Sequence, residues 1–240
     1  MATVILVRHG RTTANASGLL AGRTPGVRLD EHGEAQVKTA GERIAPVPLA
    51  ALISSPMERC RQTAKAIAAQ QADRPKIVVD KGLSECDYGE WQGRLLKDLA
   101  QEKLWRTVQV QPSAAAFPGG ESMSTMQSRS VAAIRSRDAA IEAEHGAGAI
   151  WVAVSHGDII KSILADALGM HLDLFQRLHV DPASISVVRY TGSRPYVVAS
   201  NTHAGDLSYL VPPPQPAKGR RRKPSNDAEV GGGAGPASRV

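Results

Sequence analysis

The sequence opens with a continuous β-branched and aliphatic run, Thr3-Val4-Ile5-Leu6-Val7, which stops abruptly at Arg8-His9-Gly10. A short run that is apolar on both faces is typical of an interior strand in a sheet covered on both sides. Three more runs of this kind follow, at residues 51–53, 77–79 and 149–154. Helical patterns separate them, so the chain is predicted to form an α/β fold, a three-layer α/β/α sandwich with a largely parallel central sheet.

The helical patterns lie around residues 34–44, 123–144 and 158–168, and the last is predicted to end before Gly169. A further helix is predicted to start at Ser55-Pro56-Met57-Glu58, which has the spacing of a capping box. Two strands at 184–190 and 196–200, separated by Gly192, predict a closing hairpin.

The composition excludes several classes of protein. A hydrophobic content of 42% with 22% charged residues is ordinary for a globular enzyme, whereas 4% aromatic residues argues against a base-stacking surface. The apolar runs are too short to span a membrane, and no secretory signal is visible. Two cysteines are too few for a disulfide framework. We therefore expect a cytoplasmic protein with neither a membrane association nor a stable nucleic-acid partner.

The net charge of +6 is concentrated in the last thirty residues. Residues 211–240 carry six basic and two acidic side chains, a net charge of +4, which leaves +2 for residues 1–210. Runs of proline, arginine and glycine in this tail are not expected to form a core. The sequence therefore predicts one domain over residues 1–210 and a disordered basic tail over 211–240.

Polar side chains follow the predicted strands at the points where the strands end. In chain order these positions hold Arg8-His9, Ser54-Ser55 with Arg59 in the first turn of the next helix, Leu83-Ser84-Glu85, and Ser155-His156-Gly157. Ligands of open α/β sheets bind at the carboxyl ends of the strands. Two arginines offer forked donors that match phosphate oxygens, so the sequence predicts a phosphate site at this edge.

The same residues resemble a known family, the histidine phosphatase superfamily, in the branch that also contains the cofactor-dependent phosphoglycerate mutases. The matching segments are Leu6-Val7-Arg8-His9-Gly10 with Asn15; Ser54-Ser55-Pro56 with Arg59, Gln62, Thr63 and Ala64; Glu85 with Tyr88-Gly89-Glu90-Trp91-Gln92-Gly93; Pro118-Gly119-Gly120-Glu121-Ser122; and Ser155-His156-Gly157. They occur in the family's order and cover about residues 3–205. The resemblance implies a phosphoglycerate mutase-like fold.

The resemblance also implies a role for each residue of the site. His9 is expected to attack phosphorus and become phosphohistidine, and Glu85 to act as the acid and base. Arg8, Arg59 and His156 are expected to hold the phosphoryl oxygens, with Asn15 as a further donor. The residues alone do not separate Glu85 from its neighbours Asp87 and Glu90.

Two arginines and a histidine are suited to offset the charge that a metal neutralises in other phosphoryl-transfer enzymes. The sequence shows no closely spaced carboxylate or histidine cluster for a divalent ion, so no metal and no cofactor are expected. The leading hypothesis is a metal-independent phosphatase, a phosphoric monoester hydrolase that acts on small phosphorylated metabolites. The resemblance also implies that the protein forms a homodimer.

Two other functions remain open from the sequence. A phosphoglycerate mutase uses the same histidine, but mutases of this branch carry a longer insert between the acid and the second histidine. The stretch from Glu85 to Gly119 is short here, which favours the phosphatase. A non-catalytic module that binds phosphorylated ligands is the other alternative, and the intact His9 and Glu85 argue against it.

Overall fold

The computed structural model describes residues 2–205, 228 and 230–235 of the 240-residue chain. Its six strands are β1 (Thr3–Arg8), β2 (Ala51–Ser54), β3 (Ile77–Val79), β4 (Ile150–Ser155), β5 (Ile185–Tyr190) and β6 (Pro195–Thr202). Its α-helices are α1 (Thr13–Ala16), α2 (Glu31–Ile44), α3 (Glu58–Gln70), α4 (Leu96–Leu99), α5 (Lys103–Val110), α6 (Met123–His145) and α7 (Gly157–Ala167). The α/β prediction is confirmed.

The six strands form one sheet in the order β3-β2-β4-β1-β5-β6. The first four are mutually parallel, and β5 and β6 add an antiparallel hairpin beside β1. β1 is interior, as its apolar run predicts. The prediction of two covered faces is wrong for β3, an edge strand in which Val78 and Val79 are partly exposed, because no strand pairs beyond it within the described residues.

Alternate residues of each central strand point to opposite faces of the sheet and build two cores. Val4 and Leu6 of β1 join the larger core, which packs against α6 and α7. Ile5 and Val7 join the second core, against α2 and α3. Helices therefore cover both faces of the sheet, and the three-layer arrangement is confirmed.

The helix that positions Arg59 begins two residues later than the sequence predicts. Met57, not Ser55, is the N-cap of α3, and it makes no side-chain capping bond. The predicted capping box is wrong because the Ser55 hydroxyl binds His156 instead. Arg59 still lies in the first turn of the helix, where the backbone N–H groups favour an anion.

Most of the predicted tail lies outside the described residues. The boundary near residue 210 and the disorder of the remaining tail therefore stay predictions. At Ala228 and Val230–Gly235, however, the structure shows packed residues where the sequence analysis expects disorder, and Val230 is 1% exposed. Among the described residues no helix is both long and apolar enough to cross a membrane.

Candidate active site

Strand register brings the two histidines together. Arg8 of β1 pairs with Ser155 of β4, so the next residues, His9 and His156, leave the sheet side by side. Their ring centroids are 5.2 Å apart with an edge-to-face arrangement, and both side chains are buried. The sequence prediction that strand ends meet at one edge is therefore confirmed for this pair.

The position of the His9 ring is fixed by its neighbour Gly10. The Nδ1 of His9 lies 2.7 Å from the Gly10 carbonyl oxygen, which only accepts, so Nδ1 carries the proton. A Cβ at Gly10 would lie 2.6 Å from the Gly33 carbonyl oxygen, so only glycine lets this turn approach α2. Burial, with the guanidiniums of Arg59 and Arg8, lowers the pKa of His9 well below 6.5. The ring is therefore neutral, and its Nε2 carries a lone pair.

Arg59 connects the two histidines. Its Nε donates to Nε2 of His9 over 3.2 Å, and one terminal nitrogen donates to Nδ1 of His156 over 3.1 Å. The same nitrogen donates to the Gly22 carbonyl at 2.7 Å. Because the guanidinium is 2% exposed and has no carboxylate among these contacts, it is a desolvated cation suited to an anionic ligand.

His156 is held in the opposite tautomer to His9. Its Nδ1 accepts from Arg59, so the proton resides on Nε2, which donates to the Ser55 hydroxyl oxygen at 2.7 Å. Burial and then the charge of Arg59 lower the pKa of His156 well below 6.5. Cys60 packs 3.4 Å from Nε2, and burial raises the pKa of its thiol to about 12, so it is no nucleophile at neutral pH.

Glu85 is the carboxylic acid that faces the histidines. It is 3% exposed, and its Oε2 lies 3.7 Å from Nδ1 of His156. Burial, followed by the charge of Asp158, raises the pKa of Glu85 to about 7. A carboxyl with this pKa exists in both protonation states near neutral pH, which acid–base catalysis requires.

The two neighbouring carboxylates are placed elsewhere. Asp87 pairs with Arg23 over 3.4 Å and accepts from the Gly89 N–H, and Glu90 is exposed. Neither lines the cavity that contains His9 and Glu85. The geometry thus favours Glu85, the residue to which the resemblance assigns the acid.

Sequence reasoning missed the side chains that fix the Glu85 loop. Arg23 and Arg129 both donate to the Glu85 backbone carbonyl, at 2.8 and 3.0 Å. Glu121 accepts from both arginines, at 2.9 and 2.6 Å, and from the Asp87 N–H at 2.9 Å. The Glu121 segment was matched to the family, but no sequence signal indicated these partners.

Sequence reasoning also missed a buried pair, Tyr88 and Asp158. The Tyr88 hydroxyl donates to Oδ2 of Asp158 over 2.7 Å, and both residues are fully buried. Lys161 is 3.8 Å from Oδ1 of Asp158. Asp158 follows the Ser155-His156-Gly157 segment directly, so its position in the first turn of α7 was the available signal.

Asn15 lines the cavity and has a structural task as well. Its Oδ1 accepts from the backbone N–H and hydroxyl of Thr12, at 3.1 and 2.8 Å, while the Thr12 hydroxyl accepts from the Asn15 N–H. This reciprocal pair is a capping box for α1. The remaining polar group of the Asn15 side chain is its amide nitrogen, a donor.

The cavity lining does not include two of the predicted site residues, His156 and Arg8. His156 still contacts Arg59, and its ring centroid lies 5.2 Å from that of His9. Arg8 is directed elsewhere. Its guanidinium donates to the carbonyl oxygens of Val180, at 2.9 Å, and of Gly233, at 2.6 Å. The structure therefore brings His9, Arg59, Glu85, His156 and Asn15 to one place, with Arg8 directed at backbone carbonyls beside it. Within the described part of the chain, no group of three or more histidine, cysteine, aspartate or glutamate side chains is arranged to hold a metal ion.

Comparison with known proteins identifies the family of this chain. The sequence profile of the histidine phosphatase superfamily (branch 1) matches residues 4–203. The chain belongs to this family. Its relatives include a probable phosphoglycerate mutase GpmB of Klebsiella pneumoniae subsp. pneumoniae, 33% identical over 217 residues, which cover 89% of this chain and 97% of the relative.

Solved structures share the fold. Bacillus stearothermophilus YhfR superimposes with a TM-score of 0.74 at 25% identity, over 83% of this chain and 96% of that chain. A putative alpha-ribazole-5'-P phosphatase from Escherichia coli has a TM-score of 0.73 at 22% identity, over 86% of this chain and 98% of that chain. The predicted phosphoglycerate mutase-like fold is thus confirmed.

Proposed function

We propose that the protein is a metal-independent phosphatase that hydrolyses phosphomonoesters of small metabolites through a phosphohistidine at His9. The carrying observation is the unprotonated Nε2 of His9, which faces a buried guanidinium and lies in one cavity with a carboxyl whose pKa is about 7. A neutral nucleophile, a desolvated cation and a titrating acid are the three groups that phosphoryl transfer needs.

In the first half-reaction, Nε2 of His9 attacks phosphorus and the bond from phosphorus to the ester oxygen breaks. Arg59 leaves Nε2 and donates to the phosphoryl oxygens, together with Arg8. His156 joins them as a donor once its Nδ1, released by Arg59, takes up a proton. Protonated Glu85 gives its proton to the departing oxygen, so the alcohol leaves neutral. The imidazole of His9 then carries the phosphoryl group on Nε2, and its Nδ1–H stays bonded to Gly10.

In the second half-reaction, the Glu85 carboxylate takes a proton from water as the water oxygen attacks phosphorus. The bond from phosphorus to Nε2 breaks, which regenerates neutral His9, protonated Glu85 and inorganic phosphate. Two desolvated guanidiniums stabilise the phosphoryl charge throughout, so the proposed mechanism requires no metal.

The runner-up is a phosphoglycerate mutase, and the relative from Klebsiella, a probable phosphoglycerate mutase, favours it. A mutase must also bind the substrate's carboxylate and keep a second phosphate in place. Among the described residues that line the cavity, Arg59 is the one cation. Arg94 pairs with Glu102 at 2.6 Å, and Lys97, Lys103 and Arg106 are exposed. This distribution of charge supports the phosphatase.

A panel of phosphomonoesters separates the two functions. We expect phosphate release from several esters, unaffected by EDTA and without a requirement for 2,3-bisphosphoglycerate. Conversion of 3-phosphoglycerate to 2-phosphoglycerate without phosphate release, dependent on 2,3-bisphosphoglycerate, would establish the mutase. Loss of activity on chelation that Mg²⁺ restores would contradict the metal-free mechanism. The cytoplasmic location and the homodimer stay predictions.

A further inference from the structure

A short glycine-rich segment near the end of the chain lies against the mouth of the site. We call Ala228 and Val230–Gly235 the docking segment. Val230 is 1% exposed and belongs to the larger apolar core, and Ala234 is 8% exposed. Burial of the Val230 side chain stabilises the docked position and offsets part of the entropy cost of ordering the backbone.

Polar contacts tie this segment to buried charges of the site. Arg8 donates to the carbonyl oxygens of Gly233 and Gly231, at 2.6 and 3.4 Å. The Gly231 N–H donates to Oδ2 of Asp158 at 3.1 Å. A cation thus meets backbone carbonyls and an anion meets a backbone N–H, which is the complementary arrangement for a peptide.

A third anchor lies outside the proposed catalytic machinery. The side-chain amide of Gln109, on α5, donates to the Ala228 carbonyl and accepts from the Ala228 N–H, both at 2.8 Å. These two hydrogen bonds pair the Gln109 side-chain amide with the Ala228 backbone, as a residue of a neighbouring β-strand would. They fix the position at which the segment enters the mouth of the site.

The glycines of the segment are required by shape. Gly231 has φ +73°, and a Cβ there would lie 3.0 Å from Cδ1 of Leu20. Gly235 has φ +83°, and a Cβ there would lie 2.8 Å from Cδ of Pro182. Both positions combine a left-handed backbone with a close approach, so side chains are excluded on two grounds.

With the segment docked, little space remains for a substrate. The cavity has a volume of about 20 Å³, and its lining combines His9, Arg59 and Glu85 with Val230, Gly231 and Gly233 of the docking segment. That volume holds about one water molecule. A phosphomonoester does not fit, and the Gly233 carbonyl oxygen occupies the donor of Arg8 that a phosphoryl oxygen would use.

We infer that the mouth of the site is a binding surface for the chain's own docking segment, Ala228 and Val230–Gly235, and that the docked segment competes with the phosphorylated ligand. The competition rests on the proposed function, which places the phosphoryl group at Arg8 and Arg59. A phosphorylated ligand binds only molecules whose segment has left. If about nine molecules in ten are docked, the apparent affinity for ligand falls roughly tenfold.

The first test needs no turnover. Hydrogen–deuterium exchange of the full-length protein measures the amides of residues 228 and 230–235 with and without saturating inorganic phosphate. We expect roughly tenfold slower exchange without phosphate, loss of that protection with phosphate, and loss of it in Gln109→Ala. Gln111→Ala, an exposed glutamine next to α5, is the matched control and should keep the protection. Absent protection, or protection that phosphate leaves unchanged, would overturn the inference.

The second test measures competition during turnover of p-nitrophenyl phosphate. We expect Gln109→Ala and Gly231→Val, each in the full-length chain, to lower KM up to about tenfold with kcat unchanged. Gln111→Ala should leave KM as it is. An unchanged KM in both docking variants would refute the competition. If no variant turns over substrate but phosphate still releases the segment, the docking is supported and the proposed function fails.

Discussion

The Nε of Arg59 donates to the Nε2 of His9 over 3.2 Å, at the atom that must attack phosphorus. The contact shows that Nε2 is unprotonated, because a guanidinium N–H only donates. It also places a cation where the transferred phosphoryl group will arrive. Substrate binding therefore replaces one contact of Arg59 with another, and the nucleophile is exposed in the same step.

Glu85→Gln should affect substrates according to their leaving groups. Glutamine keeps the size of the side chain but cannot donate a proton to an alkoxide. Turnover of alkyl phosphates should fall by about 10²–10⁴-fold, and the first step with p-nitrophenyl phosphate should fall less because the phenolate leaves without protonation. Steady-state assays of both substrates measure this. Equal losses would redirect the role to Asp87 or Glu90.

The same substitution should stabilise the fold above neutral pH. Glu85 has a pKa of about 7 in the folded protein against an ordinary 4.5, so the folded state holds a proton that the unfolded state releases. Its stabilising contribution is complete below pH 4.5 and is lost as the pH rises through about 7. Glutamine does not titrate.

We therefore expect urea unfolding to give nearly equal free energies for Glu85→Gln and wild type at about pH 4.5. At about pH 8 the variant should be more stable, by roughly 3 kcal/mol at most. Other titrating groups are common to both proteins and cancel in the comparison. A difference that stays constant with pH would mean that Glu85 does not carry the raised pKa.

Glu121→Gln should loosen the loop that holds the acid. The carboxylate of Glu121 binds Arg23 and Arg129, which both hold the Glu85 carbonyl. Burial opposes ionisation of Glu121, but the bonds from Arg129 and the Asp87 N–H outweigh it and lower its pKa. Loss of the charge leaves two guanidiniums without their common partner.

We expect this variant to lose about 1–3 kcal/mol of stability. It should also turn over alkyl phosphates about tenfold more slowly, because a displaced Glu85 carboxyl is poorly placed to protonate the leaving oxygen. The loss should be smaller for p-nitrophenyl phosphate, whose leaving group needs less protonation. Glu90→Gln, an exposed neighbour, is the control. If Glu121→Gln lost stability but slowed alkyl and aryl phosphates by the same factor, Glu121 would support only the fold and not the position of the acid.

The sequence predicted the strands and their meeting edge because periodicity and chain order determine both. β1 and β4 each differ from the predicted bounds by a residue, and His9 and His156 meet as expected. The identity of the acid needed the family resemblance, since three carboxylates lie within six residues of sequence. Only the fold buries one of them beside the histidines.

Contacts between distant residues could not be predicted. Glu121 and Arg129 reach the Glu85 loop from 36 and 44 residues away, and no local pattern encodes such pairs. The docking segment is the clearest case, because its glycines signal a lack of core-forming side chains. Its contacts depend on the shape of a cavity built by other parts of the chain.

His9→Ala should abolish turnover and leave the fold intact. The change removes the nucleophile and little core volume, so the rate should fall by about 10³-fold or more at a similar melting temperature. His145→Ala, on the exposed end of α6, is the control and should keep wild-type activity. A folded His9→Ala protein that retains a tenth of the activity would contradict the assignment.

Direct detection of the phosphoenzyme tests the central claim. Rapid alkaline quench with a ³²P-labelled ester, chosen because phosphohistidine is acid-labile, is followed by mass-spectrometric mapping of the label. We predict label on His9 in wild type, more of it in Glu85→Gln with an aryl phosphate because water is then poorly activated, and none in His9→Ala. Label on any other residue, or turnover of wild type and Glu85→Gln without labelled protein, would contradict the account.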